Sequence, residues 1–319
     1  MLTIALLLMS ATCFAQEDTI FRTGVALVHA DAEVTAPDGR TLTGFNKDDF
    51  RVFDEGKEQP IVNFAAEQQA LDMILLFDVS GSMRAVVESV AASARQAFRE
   101  LRPGDRVAVM VFNSRSRLVA PFTEDLDAID RAIRDDVLGG TFGGGTLIQS
   151  AVDAAALRFL HEKRSQRRRA VLIITDNIGQ RTRREESVVR DFWEADALLS
   201  GLIVPNPGAQ AIRTVATIMG PQNLLMQAGM KGIAQKTGGD AIRANDPAQA
   251  FQDAIHRIRS RYGLYYALPK SKPGTTRSIR VELAAEAARR FPKSHVRART
   301  GYVVPAPAAA VSDPAADRF

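Results

Sequence analysis

Cysteine is nearly absent: Cys13 is the single one in 319 residues, so no disulfide can form within the chain. Histidine is scarce. His29, His161, His256 and His295 are all there are, and none falls in a loop rich in hydroxyls, so a Ser–His nucleophile pair is not written locally. After the amino terminus no apolar run approaches the ~20 residues that a membrane span requires. Charge of one sign is also lacking. A net charge of +4 does not by itself call for a nucleic-acid partner, and no aromatic residues interleave the basic runs to stack on bases. What is present is 46% hydrophobic residues, enough to bury a substantial core, in a length that suggests about two domains.

Residues Leu2 to Ala15 are apolar, with small residues near the end and Gln16 after them. This is the pattern of a signal peptide over 1–15, and the expected location is secreted or periplasmic. No Lys or Arg precedes Arg22, so a basic leading segment is missing. Cys13 would leave with the signal. A lipoprotein would need it acylated, and Ser10-Ala11-Thr12 fits that signal poorly.

The apolar run Leu71 to Phe77 is followed at once by Asp78-Val79-Ser80-Gly81-Ser82. A carboxylate and two short hydroxyls thus emerge where a buried strand meets a loop. Hard divalent cations take oxygen ligands, and Mg²⁺ retains several waters. Asp, Ser and Gly are also common turn residues, so a strand-to-helix turn with a Ser cap is the plainer reading of that string alone. Two further segments bear on the choice. Gly139 to Thr146 is a glycine-dense loop ending in a hydroxyl before the helical pattern Leu147, Ile148, Ala151, Ala155, and Arg169 to Thr175 is a second buried-strand run that delivers Asp176. In a parallel sheet with helices on both faces, ligands gather at the carboxyl ends of strands, where such loops converge.

These segments together resemble a von Willebrand factor type A domain. Its metal-ion-dependent adhesion site reads Asp-x-Ser-x-Ser, then Thr, then Asp, in this order and at about these separations. The resemblance implies that Asp78, Ser80, Ser82, Thr146 and Asp176 are metal-associated, with Mg²⁺ the first expectation and Mn²⁺ or Ca²⁺ the alternatives. The residue after the last Asp is commonly Gly; here it is Asn177, which tolerates the left-handed conformation better than most.

The flanks carry a second likeness. Thr43 to Ile61, the turn Thr237-Gly238-Gly239, Tyr262 to Pro269 and Val296 to Tyr302 resemble segments of the von Willebrand-related family frequent in acidobacterial genomes. The expected organisation is an amino-terminal β module over 20–69, a type A domain over 70–261, a carboxy-terminal β segment over 262–304 packed with the first module, and a disordered tail over 305–319. The fold class is α/β, a doubly wound and mostly parallel sheet, with a small β module formed by the two flanks.

Within the central domain the spacing predicts helices over Met83–Leu101, Asp125–Asp135, Leu147–His161, Arg184–Leu199 and Pro247–Arg261, and one closing at Lys236. Strands are expected at Val107–Phe112, Leu118–Phe122 on an edge, and Leu202–Val204. Residues 205–219 read as a surface excursion. The basic runs Lys163, Arg164, Arg167, Arg168, Arg169 and Arg181, Arg183, Arg184 read as solvated segments, or else as a patch for an acidic surface or anionic headgroups. Trp193 reads as a packing residue. Phe142 either lines the rim of the ligand face or packs inward.

By the resemblance the metal is not catalytic, and its open position takes an Asp or Glu from a partner protein. A secreted or periplasmic adhesion or assembly module follows. The alternatives are an envelope scaffold that makes no use of the metal, and a metal-dependent hydrolase. Phosphoryl transfer would need a second carboxylate where Ser80 stands, and a P-loop would need Lys where Gly145 precedes Thr146.

Overall fold

The computed structural model describes residues 26–66, 69–162, 167–179, 183–205, 226–227 and 229–306. The signal segment, Lys163, Arg164, Arg181, nearly all of the expected excursion and the tail beyond residue 306 lie outside the described residues. The strands, in chain order, are β1 (Leu27–Thr35), β2 (Phe50–Asp54), β3 (Lys57–Gln59), β4 (Ile61–Ala65), β5 (Leu71–Asp78), β6 (Arg106–Phe112), β7 (Ser116–Thr123), β8 (Arg168–Thr175), β9 (Ile178–Gly179), β10 (Ala197–Ile203), β11 (Met226–Gln227), β12 (Ala241–Arg243), β13 (Tyr262–Ala267), β14 (Thr276–Leu283), β15 (His295–Arg297) and β16 (Gly301–Val303). The helices are α1 (Arg84–Ala97), α2 (Leu126–Arg131, continued by a π turn over Ala132–Val137), α3 (Ile148–His161), α4 (Glu185–Glu194), α5 (Met230–Thr237), α6 (Pro247–Arg259) and α7 (Ala285–Arg290).

The central sheet has the order β12-β10-β8-β5-β6-β7, parallel except for the antiparallel edge strand β7. β5, β8 and β10 are buried along their whole length, which is why they read as continuous apolar runs instead of alternating ones. Their alternation appears only in three dimensions. Leu71, Met73, Leu75 and Phe77 pack against α1 and α6 on one face, while Ile74 and Leu76 meet α3, α4 and α5 on the other. The strand order reverses between β5 and β8, so the loops after these two strands part to opposite faces and leave a crevice at their carboxyl ends.

The two flanks form one β module. β1 pairs with β13 and β15, and β14 pairs with β2 and β16. A third core joins Val28, Ala30, Val34, Phe50 and Val52 to Tyr262, Leu264, Tyr266, Ile279 and Tyr302. At its centre the buried Asp54 accepts hydrogen bonds from the Tyr266 and Tyr302 hydroxyls, both at 2.9 Å.

Several sequence expectations are corrected. The helix expected over Arg184–Leu199 stops at Glu194, Asp196 turns the chain at a φ of 50°, and Ala197–Leu199 already belong to β10. A strand buried on both faces cannot be told from a buried helix by periodicity. β12 completes the sheet and α7 interrupts the carboxy-terminal β segment; neither was expected. Arg167, Arg168 and Arg169 are neither a solvated run nor a patch. Arg168 is 1% exposed, with Asp31 at 3.1 Å and the Ile258 carbonyl at 2.6 Å; Arg167 holds Asp72, and Arg169 donates to the Ala195 carbonyl. Their partners are far away in sequence, so only the fold reveals them. Glu33, also 1% exposed, accepts from Arg257 at 2.9 Å and Arg261 at 3.3 Å, and these internal pairs join the β module to α6.

Candidate metal centre

β5 ends at Asp78, and β8 ends beside it at Thr175, so Asp176 enters the loop next to the Asp-x-Ser-x-Ser turn. Ser82 Oγ donates to Asp176 Oδ2 at 2.8 Å across 94 residues of sequence, and Ser80 Oγ lies 3.5 Å from Ser82 Oγ. Asp78, Ser80, Ser82 and Asp176 are therefore one constellation. Asp78 is fully buried. Its Oδ1 accepts the Ser80 N–H at 2.9 Å and its Oδ2 the Thr175 hydroxyl at 2.7 Å. With the Ser80 hydroxyl also bonded to it, the carboxylate keeps about one lone-pair site for a cation.

Thr146 stands on the glycine loop. That loop is fastened to the same corner: Gly143 N–H donates to the Val79 carbonyl at 2.9 Å, and Leu147 N–H to the Asn113 carbonyl at 3.0 Å. Asn113 also donates its side-chain amide to the Gly143 carbonyl at 2.9 Å. A Cβ on Gly179 would come within 2.7 Å of the Thr146 carbonyl, so the turn after Asp176 and the Thr146 loop are in direct apposition. Asn177 has a φ of 61°, in the left-handed region, and its N–H donates to Thr175 Oγ1.

The electrostatics are those of an uncompensated pair of acids. Burial pushes the Asp78 carboxyl up to about 6, against the opposing hydrogen bonds from Thr175 and Ser80 and with the nearby Asp176 charge adding to the rise. Burial likewise raises Asp176, opposed by the bond from Ser82. Among the described residues neither carboxylate forms an ion pair with a cationic side chain. Among the described residues no group of three or more His, Cys, Asp or Glu side chains is placed to hold a metal. The groups gathered at this corner are two carboxylates and the Ser80 and Ser82 hydroxyls, all oxygen. That chemistry fits a hard divalent cation that keeps part of its water shell, and it does not fit a thiolate or imidazole metal.

Residues 73–180 match the family model described as von Willebrand factor type A domain. The chain carries a von Willebrand factor type A domain. Among solved structures it is similar to an aerotolerance-related membrane protein from Bacteroides fragilis, with 16% identity, TM-score 0.46, and coverage of 59% of this chain and 98% of that one. It is also similar to BatB from Bacteroides thetaiotaomicron, with 19% identity, TM-score 0.45 and coverage of 59% and 97%. A von Willebrand factor type A protein from Catenulispora acidiphila shares 11% identity at TM-score 0.45, over 83% of this chain and 75% of that one. No curated protein matches.

Sequence reasoning missed two residues that fasten this corner, Thr175 and Asn113. Thr175 is buried, donates to Asp78 and accepts from Asn177 N–H, so one hydroxyl ties the two acidic loops together. Asn113 does the same for the glycine loop. The available signal was a polar residue closing each apolar strand run. Phe142 follows the inward reading: it packs against the core, and the Arg84 guanidinium lies 4.3 Å from its ring centroid. Trp193 packs against the core and donates Nε1–H to the Lys236 carbonyl at 3.1 Å.

Proposed function

We propose that this chain is a secreted or periplasmic protein-binding module that engages an Asp or Glu of a partner protein through a divalent cation. Asp78, Ser80, Ser82, Thr146 and Asp176 would hold the cation, Mg²⁺ first and Mn²⁺ or Ca²⁺ otherwise. When bound, it supplies an electrophilic position that a partner carboxylate can complete. The observation that carries the reading is the Ser82–Asp176 hydrogen bond beside the buried Asp78, which gathers two acids that have no ion-pair partner among the described residues. A cation bound there would supply the missing positive charge.

The chain's own residues prepare this position. Thr175 and the Ser80 N–H orient Asp78, Ser82 orients Asp176, and the Val79 carbonyl fastens the glycine loop to the same turn. Burial of Asp78 and Ser80 beneath the position lowers the local polarity and strengthens a charge-assisted contact made there. A hydrolytic role gains no support from the histidines: His29 faces Asp196 and His256 faces Glu100, not Ser80 or Ser82. Among the described residues no helix is long and apolar enough to cross a membrane.

Calorimetric titration of Mg²⁺, Mn²⁺ and Ca²⁺ into the metal-stripped chain tests the proposal, with Asp78→Ala alongside. One-site binding that disappears in the variant is the expected outcome. Binding unchanged in a folded Asp78→Ala protein would refute it.

A further inference from the structure

Away from the metal face many exposed arginines take carboxylates: Arg51 takes Glu58, Arg95 and Arg134 share Asp130, and Arg190 takes Glu194, while Arg99 and Arg289 take none among the described residues. Arg84, Arg115, Arg117, Arg184 and Arg243 are exposed too, yet none forms an ion pair with a described carboxylate. All five stand at the carboxyl-end edge of the central sheet. Arg84 opens α1 two residues after Ser82, Arg115 lies in the turn after β6, and Arg117 sits opposite Val111 at the start of β7. Arg184 precedes α4 on the chain leaving Asp176, and Arg243 closes β12.

Two of them are placed by the residues that build the site. Arg115 N–H donates to Asn113 Oδ1 at 3.1 Å, and the same Asn113 holds Gly143 and Leu147 of the glycine loop. Arg84 rests on Phe142 of that loop and donates to the Leu138 carbonyl at 3.3 Å. Asp135, Asp136, Glu186 and Asp246 share this end of the domain, but none is within ion-pair distance of these guanidinium groups. Five exposed guanidinium groups without a described carboxylate partner thus stand at the end of the sheet that holds the two buried acids, and Arg84 and Arg115 are the two tied to the glycine loop.

We propose that the partner surface docking here is an acidic protein segment, in which the carboxylate at the metal is flanked by further Asp or Glu side chains that pair with Arg84 and Arg115. This rests on the metal-dependent reading of the same face. The metal would anchor one carboxylate, and the arginines select its neighbours and steer the approach.

The test uses the full chain and two synthetic peptides, acetyl-Gly-Gly-Asp-Gly-Gly-amide and acetyl-Glu-Glu-Asp-Glu-Glu-amide, titrated at low ionic strength with and without Mg²⁺. The acidic peptide is expected to bind about 3- to 20-fold more tightly than the single-Asp peptide, from two exposed ion pairs. The double variant R84Q/R115Q should lose most of that preference, and salt should erode it, while its affinity for the single-Asp peptide stays within about 2-fold. Equal affinity for the two peptides in the parent chain, or a preference undiminished in R84Q/R115Q, would overturn the proposal. If the single-Asp peptide ignores both Mg²⁺ and Asp78→Ala, the metal reading fails on its own, and the acid preference is still decided by the metal-free titrations. Sedimentation with phosphatidylcholine–phosphatidylserine vesicles in place of peptide binding would overturn it in favour of a membrane surface.

Discussion

Replacing Asp78 with Asn keeps the shape of the site and removes one charge. With its carboxyl raised from an ordinary 3.8 to about 6 by burial, ionised Asp78 costs the metal-free fold about 3 kcal/mol at neutral pH, at 1.36 kcal/mol per unit. Asn retains an acceptor for the Ser80 N–H and turns its amide toward Thr175 Oγ1, which must then find another acceptor for its proton. That mismatch costs about 1–2 kcal/mol, leaving Asp78→Asn more stable than the parent by roughly 1–2 kcal/mol in EDTA at pH 7.5. The rise in Tm would be about 2–6 °C for a chain of this size.

The sign with pH follows from proton binding. Between the unfolded carboxyl value and about 6, the folded state holds the proton and the unfolded state does not. The parent is therefore destabilised as pH rises through that window, and its deficit against Asp78→Asn closes as pH falls below it. Mg²⁺ at about 100 times its dissociation constant adds about 2.7 kcal/mol to the parent and nothing to the variant, so the order of stability inverts. Thermal unfolding of both proteins at pH 4.5 and 7.5, with EDTA or Mg²⁺, reads all of this. An Asp78→Asn protein less stable than the parent in EDTA at pH 7.5, or a gap that does not narrow with acid, would refute the reasoning.

Thr175→Val removes the hydroxyl that ties Asp78 to Asn177 and is expected to weaken Mg²⁺ binding roughly 10-fold by calorimetry, while Thr175→Ser retains it. Glu33→Ala removes the buried carboxylate that Arg261 and Arg257 share, leaving Arg257 with Asp240 and Arg261 with Asp31; a loss of about 3 kcal/mol in urea unfolding is expected. At Gly239 an added Cβ would meet the Leu199 carbonyl at 2.0 Å, so Gly239→Ala should lower the urea midpoint by shifting β10, even though the site itself is untouched.

Much of the fold was legible because burial on both faces leaves a mark on composition. The all-apolar runs before Asp78 and before Asp176 announced the central strands, and the acids that ended them announced the loops. Asn177 read as the left-handed residue that it is. The end of α4 was not legible, since Ala197-Leu198-Leu199 suits a buried strand and a buried helix equally. Arg167 to Arg169 were misread for a different reason: a charged run looks solvated until Asp72 and Asp31 arrive from elsewhere in the chain.

The sequence by itself determined which side chains could serve a cation, because short oxygen-bearing residues at the ends of apolar runs are a local property. Tertiary structure alone decided that they meet. The reversal of strand order between β5 and β8 puts Asp78 beside Thr175 and Ser82 on Asp176. It also decided which arginines are paired inside the protein and which remain exposed, since an ion pair depends on the distance between its groups, and sequence separation does not fix that distance.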